Sequence, residues 1–337
     1  MAGAETGVEL ADALSEYLNL RTNGTALSEA RRNKFVMGET VRAAGIRAVK
    51  QLYATKWNEI AAFLEEWQPD PFKVIVKPID SAGSEDVTLC FSMDEVKAAF
   101  NHIFGKINGL GIVNKAVLVQ EYLEGTEYVV DTVSRDGEHK VVAIWEYDRR
   151  CVNGASFVCF GQRMLSGDEP RCPELMTYML SVINALGINN GPSHGEVKWC
   201  KGEPVLVEVG ARCHGIEGHW VPLADRALGY NQAMATCVSY LDKKGFDELP
   251  PKPLKLKTNG RMMFFVSRVS GTLSEINPQY IAEMQSMASF VNFEMFLKVG
   301  AQISKTVNCF TFGGIVLLIH DDLDVVLNDG DRIRAME

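Results

Sequence analysis

Residues 73 to 85 read KVIVKPIDSAGSE, and this stretch indicates the class of fold. A β-branched run, 74–76, ends in Lys77 and breaks at Pro78, a pattern that predicts a buried strand delivering its last side chain to a functional edge. The loop 81–84 contains only small side chains, so backbone N–H groups can approach an anion, and the lysine supplies the opposite charge. The stretch favours a phosphate site, with a solvated surface lysine as the alternative.

Two common nucleotide motifs are missing from the sequence. It has no G-x-x-x-x-G-K-[ST] pattern and no G-x-G-x-x-G pattern after a strand. A phosphate site in this chain therefore needs other residues to complete it.

Composition and charge restrict the class of protein. With 337 residues, 47% of them hydrophobic and 23% charged, the chain matches an ordinary globular protein of two or three modules. A net charge of -9 argues against nucleic acid or an anionic membrane as the main partner. Any anion site must therefore be local.

The sequence also gives expectations about location and thiols. No apolar run approaches the roughly 18 residues that cross a bilayer, and MAGAETGVEL lacks the basic start of a signal peptide. We therefore expect a cytoplasmic enzyme with no membrane partner. The eight cysteines form no C-x-x-C pair, which opposes a zinc ribbon and predicts reduced, mostly buried thiols.

Helical and strand patterns alternate along the chain. A D-G turn at residues 136–137 predicts a hairpin, and 149–170 is interpreted as a strand fragment plus a long mobile loop. The proline-rich segment 249–254 is a predicted connector, and 261–334 a compact α+β unit. Helices are predicted over 8–20, 28–44, 56–67, 93–106, 174–186, 220–228 and 231–243, and strands over 74–77, 116–122, 127–134, 139–147, 194–200 and 204–209.

A second informative segment is QEYLEGTE, residues 120–127. A segment linking two lobes can recognise adenine through its backbone groups, and a nearby carboxylate can accept hydrogen bonds from both ribose hydroxyls. The alternative is a hairpin strand with an acidic rim.

Two glutamates form the third informative pattern. Glu196 and Glu208 are 12 positions apart (208 − 196) across a turn at Lys201-Gly202, so a hairpin can bring them to neighbouring strands. Opposed carboxylates repel, whereas Mg²⁺ takes oxygen ligands from one or two carboxylates and from phosphates. The pattern predicts a magnesium site, with two exposed acids as the alternative.

Arg212 follows Glu208 by four residues, and its guanidinium can bind phosphoryl oxygens or a substrate carboxylate. Pairing with a local glutamate is the alternative. Three histidines, His194, His214 and His219, surround this segment, but none lies in an H-E-x-x-H motif, so zinc is not expected. His194 is interpreted as a hydrogen-bonding residue that lines the site.

In this order the motifs resemble the ATP-grasp superfamily, specifically its carboxylate–amine ligases, and the L-amino-acid ligases in particular. The resemblance runs from about Ser28 to Leu241, and the tail from Gly260 resembles the carboxy-terminal part of that branch. It implies an α/β (α+β) fold with two α+β lobes, the nucleotide between them, and most of an amino-terminal domain lacking. The implied parts are a remnant and linking helix (1–48), a small lobe (49–121), a large lobe with the metal site (122–256) and a carboxy-terminal α+β part (257–337).

The resemblance also implies roles for individual residues. The implied metal ligands are Glu196 and Glu208, and the implied catalytic residues are Arg212 and Lys77. Many family members carry E-x-N at the second acid, whereas this chain has Gly210, which leaves open whether one or two metals bind. The implied ATP-binding residues are Lys34, Lys77, Ser81, Ala82, Gly83, Ser84, Gln120, Glu121, Tyr122, Leu123 and Glu127.

The implied activity is ATP-dependent formation of an amide or peptide bond through an acyl phosphate, with ATP and Mg²⁺ (or Mn²⁺) as cofactors. An amino acid or small carboxylic acid and an amine are the expected substrates, and a homodimer is a candidate assembly. The candidate substrate-lining residues are His194, Arg163 and Ile216, and the candidate lids are the loops 81–86 and 149–167. The alternatives are a catalytically impaired nucleotide-binding regulator and an ATP-grasp carboxylase.

Overall fold

A computed structural model describes residues 1–253 and 255–337; Leu254, the end of the predicted connector, lies outside the described residues. The chain begins with helices α1 (Val8–Tyr17) and α2 (Lys34–Ala43). Ser28 precedes only a single 3₁₀ turn (Glu29–Arg31), and its hydroxyl donates to Asp12 (2.6 Å) instead of capping that turn, so the prediction of one helix from Ser28 to Ala44 is wrong. The side chain of Asn33 instead caps the first turn of α2 by accepting from two backbone amides.

A small antiparallel sheet carries the Lys77 strand. Its strands, in spatial order, are β1 (Gln51–Ala54), β4 (Val117–Glu121), β2 (Val74–Pro78) and β3 (Thr88–Cys90). Every residue of β2 is buried, as the β-branched run predicts. Helices α3 (Trp57–Trp67) and α4 (Met93–Ile103) pack their apolar faces on this sheet. Ser92 caps α4, as its sequence pattern predicts.

A larger antiparallel sheet forms the rest of the framework. Its strands, in spatial order, are β12 (Phe290–Met295), β14 (Gly314–His320), β10 (Asn259–Phe265), β7 (Ala155–Met164), β6 (Glu138–Val152), β5 (Thr126–Arg135), β8 (Gly191–Cys200) and β9 (Glu203–Gly210). Because β10 pairs with β7, the sheet crosses the predicted boundary at 256/257. The four-part division stays a prediction.

Two tight turns set the register of the hairpins in this sheet. Asp136 and Gly137 have φ of 50° and 84°, and Lys201 and Gly202 have φ of 53° and 88°. Two consecutive residues with positive φ give the turn whose twist matches that of paired strands. The second turn makes Glu196 the direct cross-strand partner of Glu208.

The strand fragment predicted within 149–170 is present, but the long loop predicted for the rest of the segment is wrong. Most of this segment belongs to β6 and β7, which pair up to a turn at residues 153–154. A Cβ at Gly161 would collide with the backbone carbonyl of Met262, since β7 and β10 come close there. The glycines that suggested a loop therefore mark a turn and a close strand contact.

Helices cover both faces of the larger sheet. α5 (Cys172–Ala185) packs on one face with α2, while α6 (Val221–Leu228), α7 (Gln232–Leu241) and α8 (Lys243–Glu248) pack on the other. Strands β11 (Gly271–Thr272) and β13 (Gln302–Ile303) and helices α9 (Pro278–Gln285) and α10 (Leu323–Met336) complete the chain. Within 1–253 and 255–337, none of the helices has the length and apolarity needed to cross a membrane.

Candidate functional site

A cavity of about 800 Å³ lies between the two sheets and gathers residues from distant parts of the sequence. Its walls are formed by β2 and the loop that follows it on one side, and by β5, β8 and β9 on the other. The predicted nucleotide and metal residues that line it are Lys34, Lys77, Ser81, Ala82, Gly83, Ser84, Gln120, Glu121, Tyr122, Leu123, Glu127, Glu196 and Glu208. The structure thus places these residues together, while their roles stay predictions.

Two buried lysines form one wall of the cavity. Lys34 Nζ lies 2.7 Å from Glu208 Oε2 and donates to the carbonyl of Ser81 (2.8 Å). Lys77 is 5% exposed, and burial together with the neighbouring Lys34 charge lowers its pKa to about 8. Two lysine ammonium groups in the lining of one cavity favour the binding of an anion there.

The small-residue loop 81–84 follows β2 and lies against the carboxy-terminal part of the chain. Gly83 and Ser84 have φ of 68° and 64°. A Cβ at Gly83 would collide with the sulfur of Cys309, so a larger residue is excluded by both backbone conformation and space. The four residues of the loop line the cavity, and the predicted role of the loop as a lid stays a prediction.

The segment 122–125 connects β4 of the small sheet to β5 of the large one. At its start, Arg47 binds the Glu121 carboxylate through both oxygens (2.7 and 2.9 Å), and the Glu121 N–H donates to the carbonyl of Lys50 (2.8 Å). The backbone carbonyl of Glu121 is therefore its group for a ligand. The side-chain amide nitrogen of Gln120, Nε2, donates to Gln51 Oε1 (2.7 Å). The linker thus offers mainly backbone polar groups to the cavity, as adenine recognition requires.

Glu196 and Glu208 face each other from β8 and β9, and each has a cationic neighbour. Besides the Lys34–Glu208 pair, Arg149 lies 3.6 Å and His194 Nε2 3.5 Å from the Glu196 carboxylate. Burial disfavours the charged form, but the His194 hydrogen bond and the Arg149 charge outweigh it and lower the pKa of Glu196 to about 2. Two opposed carboxylates are a donor set that suits a hard divalent cation.

Behind Glu196 lies a buried polar cluster around Asp131. His194 Nδ1 and His214 Nδ1 lie 2.9 and 2.8 Å from the Asp131 carboxylate, and Trp145 Nε1 donates to it (2.7 Å). Burial opposes the charged form of His194, but the hydrogen bond to Asp131 raises its pKa to about 9. Because all three nitrogens point at one carboxylate as donors, this is a hydrogen-bonded cluster that orients the Nε2 of His194 toward Glu196.

Four other candidate residues lie outside the walls of this cavity. His194 is buried behind Glu196, and Ile216 packs against a hydrophobic core cluster. Arg163 lines a second cavity beside Glu146 and Glu169. Arg212 pairs with Glu5 of the amino-terminal segment (2.6 Å) and not with one of the local glutamates. Their roles at the site stay predictions.

Sequence reasoning missed three cationic or aromatic residues of the cavity. Arg149 donates to Glu127 (2.9 Å) and to Ser84 (3.2 Å), so it links the predicted ribose carboxylate to the small-residue loop. Lys198 Nζ lies over the rings of Tyr122 and Phe157, 5.6 and 5.0 Å from their centroids. Lys198 could have been found, because it is two positions beyond Glu196 on one strand.

Comparisons with known proteins agree with the fold. Residues 70–218 match the family model described as ATP-grasp domain, a range that includes both acids and the linker but begins after Lys34. The structure superposes on the crystal structure of an L-amino acid ligase from Bacillus licheniformis with a TM-score of 0.79, at 18% identity, covering 99% of this chain and 78% of that one. The expected ATP-grasp fold is confirmed.

Two curated relatives carry the names of a synthase and of an amino acid ligase. The chain is 35% identical over 234 residues to dapdiamide A synthase of Enterobacter agglomerans, covering 69% of this chain and 54% of the relative. It is 25% identical over 206 residues to an L-arginine-specific L-amino acid ligase of Bacillus subtilis, covering 60% of this chain and 48% of the relative. The chain thus spans about half the length of these relatives.

Proposed function

We propose that this chain, which carries an ATP-grasp domain over residues 70–218 and has the ATP-grasp fold, is an ATP-dependent carboxylate–amine ligase. The observation that carries the proposal is that Lys34, Lys77, residues 120–123 and the Glu196–Glu208 pair all line one cavity. The names of two relatives, dapdiamide A synthase and an L-arginine-specific L-amino acid ligase, support it.

In the proposed complex the nucleotide spans both sheets. Adenine meets the backbone of the linker, Glu127 accepts hydrogen bonds from the ribose, and the phosphates lie toward Lys34, Lys77 and the loop 81–84. Glu196 and Glu208 would hold Mg²⁺ or Mn²⁺. Such an ion, when bound, neutralises charge on the phosphate oxygens.

The proposed reaction has two displacements. A carboxylate oxygen of the first substrate attacks the γ-phosphorus of ATP, and the bond to the β-phosphate oxygen breaks to release ADP. The amine of the second substrate then attacks the acyl carbon, loses a proton and displaces phosphate, leaving an amide. Because charge develops on phosphoryl oxygens, Lys34, Lys77 and Arg212 act by position and charge rather than as nucleophiles.

The substrates proposed are an amino acid or small carboxylic acid and an amine, as the names of the relatives suggest for those proteins. Arg212 is proposed to meet the transferred phosphoryl group, and His194, Arg163 and Ile216 remain proposed substrate contacts. Acyl phosphates hydrolyse, so closure of the loop 81–86 over the cavity is proposed to exclude water. The cytoplasmic location and the homodimer stay predictions.

The test is incubation with ATP, Mg²⁺ and pooled amino acids, with ADP release and product masses as readouts. A ligase forms ADP together with an amide product, and Glu208→Gln abolishes both. Glu203→Gln, an exposed position on the same strand, is the matched control and keeps activity. ATP binding without turnover supports the regulator, and bicarbonate-dependent ADP release without amide supports the carboxylase.

A further inference from the structure

The amino-terminal segment reaches the phosphate end of the proposed site through one carboxylate. Glu5 begins a single 3₁₀ turn before α1, and its Oε1 lies 2.6 Å from Arg212 Nη2. Both side chains are mostly shielded from water, with 15% and 17% exposed. An ion pair this shielded is held more firmly than a solvated surface pair, and removing one partner leaves the other charge uncompensated.

The pair occupies space that strand β9 leaves open at Gly210. The register places Gly210 opposite His194, two residues beyond Glu208. Because side chains alternate along a strand, a side chain at position 210 would lie on the same face as Glu208. A Cβ built there would be 2.5 Å from Glu5 Oε1 and 3.1 Å from Arg212 Cζ. Glu5 therefore fills the place that a side chain of β9 itself would otherwise take.

Glu5 also completes the anchoring of the Arg212 guanidinium. One terminal nitrogen, Nη1, donates to the carbonyl of Cys213 (2.8 Å), and the other, Nη2, meets Glu5. With one anchor only, the guanidinium can rotate about its flexible side chain. With two it has a defined orientation beside the strand that carries Glu208.

We propose that Glu5 is a positioning residue of this site, a carboxylate from the amino-terminal segment that orients Arg212 in place of the side chain missing at Gly210. This inference rests on the proposed function, in which Arg212 meets the transferred phosphoryl group. Glu5 acts through Arg212 and takes no proton or phosphoryl group itself.

The test moves the carboxylate from one segment to the other. Four variants are compared with the wild type: Glu5→Ala, Gly210→Asp, the double variant, and Glu9→Ala as an exposed control on the same segment. Glu5→Ala lowers kcat about tenfold with KM for ATP changed less than about threefold, because a misplaced group weakens the transition state more than ground-state binding. Gly210→Asp alone also lowers kcat, since two carboxylates then compete for one place.

Rescue is the deciding result. In the double variant the aspartate enters the space vacated by Glu5, pairs with Arg212, and returns kcat to within about threefold of the wild type. If Glu5 only docks the amino-terminal segment onto the rest of the protein, an aspartate at position 210 on β9 would not restore kcat. Wild-type kcat in Glu5→Ala, a double variant no better than Glu5→Ala, or a lowered KM for the carboxylate substrate in Glu5→Ala overturns the proposal.

A second readout is independent of turnover. The ¹⁵N-labelled guanidinium signal of Arg212, assigned with Arg212→Lys, is protected from exchange in the wild type, lost in Glu5→Ala and regained in the double variant. If the wild type forms no ADP with any substrate pair, the proposed function fails, and this signal still decides whether Glu5 holds Arg212. An unprotected signal in the wild type overturns the inference.

Discussion

Replacing Lys77 with methionine should have opposite effects on the stability of the ligand-free protein and on its affinity for ATP. The ammonium is held in a buried site next to Lys34, which lowers its pKa from 10.5 to about 8. A pKa difference of one unit corresponds to about 1.4 kcal/mol. The protonated ammonium therefore lowers the stability of the ligand-free protein by about 3 kcal/mol. The cost is present in full below pH 8 and disappears as the pH rises toward 10.5.

Lys77→Met should therefore stabilise the ligand-free protein by up to about 3 kcal/mol at pH 7, with little gain left near pH 10.5. The same change should weaken ATP binding about 10- to 100-fold, because a hydrogen bond to a charged group contributes about 1.5–3 kcal/mol. A gain in stability together with a loss of affinity is typical of a residue placed for its ligand.

Urea denaturation at a series of pH values gives the first quantity, and titration calorimetry with ATP and Mg²⁺ gives the second. Lys115→Met removes an exposed lysine and should change neither. If Lys77→Met leaves ATP affinity unchanged, the placement of Lys77 as a phosphate contact is refuted. If it destabilises the ligand-free protein at pH 7, the cost ascribed to the buried charge is refuted.

Two further variants test the charges around the cavity. Arg149→Ala removes a cation that two buried carboxylates, Glu127 and Glu196, share, so the free energy of unfolding should fall by about 3–5 kcal/mol, measured by urea denaturation; a change below about 1 kcal/mol contradicts the ion pairs described. Protonated His194 contributes stability that is complete below pH 6.5 and lost as the pH rises through about 9. Asp131→Asn should flatten that dependence and shift the His194 titration, followed by NMR, to lower pH, and an unchanged titration would refute the role of Asp131.

The sequence predicted those parts of the site that depend on local pattern. A β-branched run ending in Lys77 requires a strand whose last residue reaches an edge, and the Lys201-Gly202 turn fixes the hairpin that opposes Glu196 and Glu208. Each of these two patterns is contained within about a dozen consecutive residues, so contacts with distant parts of the chain have little influence on it.

The remaining parts depend on packing that no local pattern reports. Arg149 was assigned to a loop because glycines follow it, although one marks a turn and another a close contact with β10. Glu5 and Arg212 are more than 200 positions apart, and only the coordinates show that Gly210 leaves room for their pair. The residues around the second substrate depend in the same way on the orientation of loop side chains.

The most direct test of the ligase proposal follows one oxygen atom. The carboxylate substrate identified in the amino-acid pool is labelled with ¹⁸O in its carboxyl group and incubated with ATP, Mg²⁺ and the amine. If the carboxylate attacks the γ-phosphorus, the released phosphate carries one ¹⁸O atom from the substrate and the amide retains the other. Unlabelled phosphate alongside a formed amide would contradict the acyl phosphate and with it the proposed mechanism.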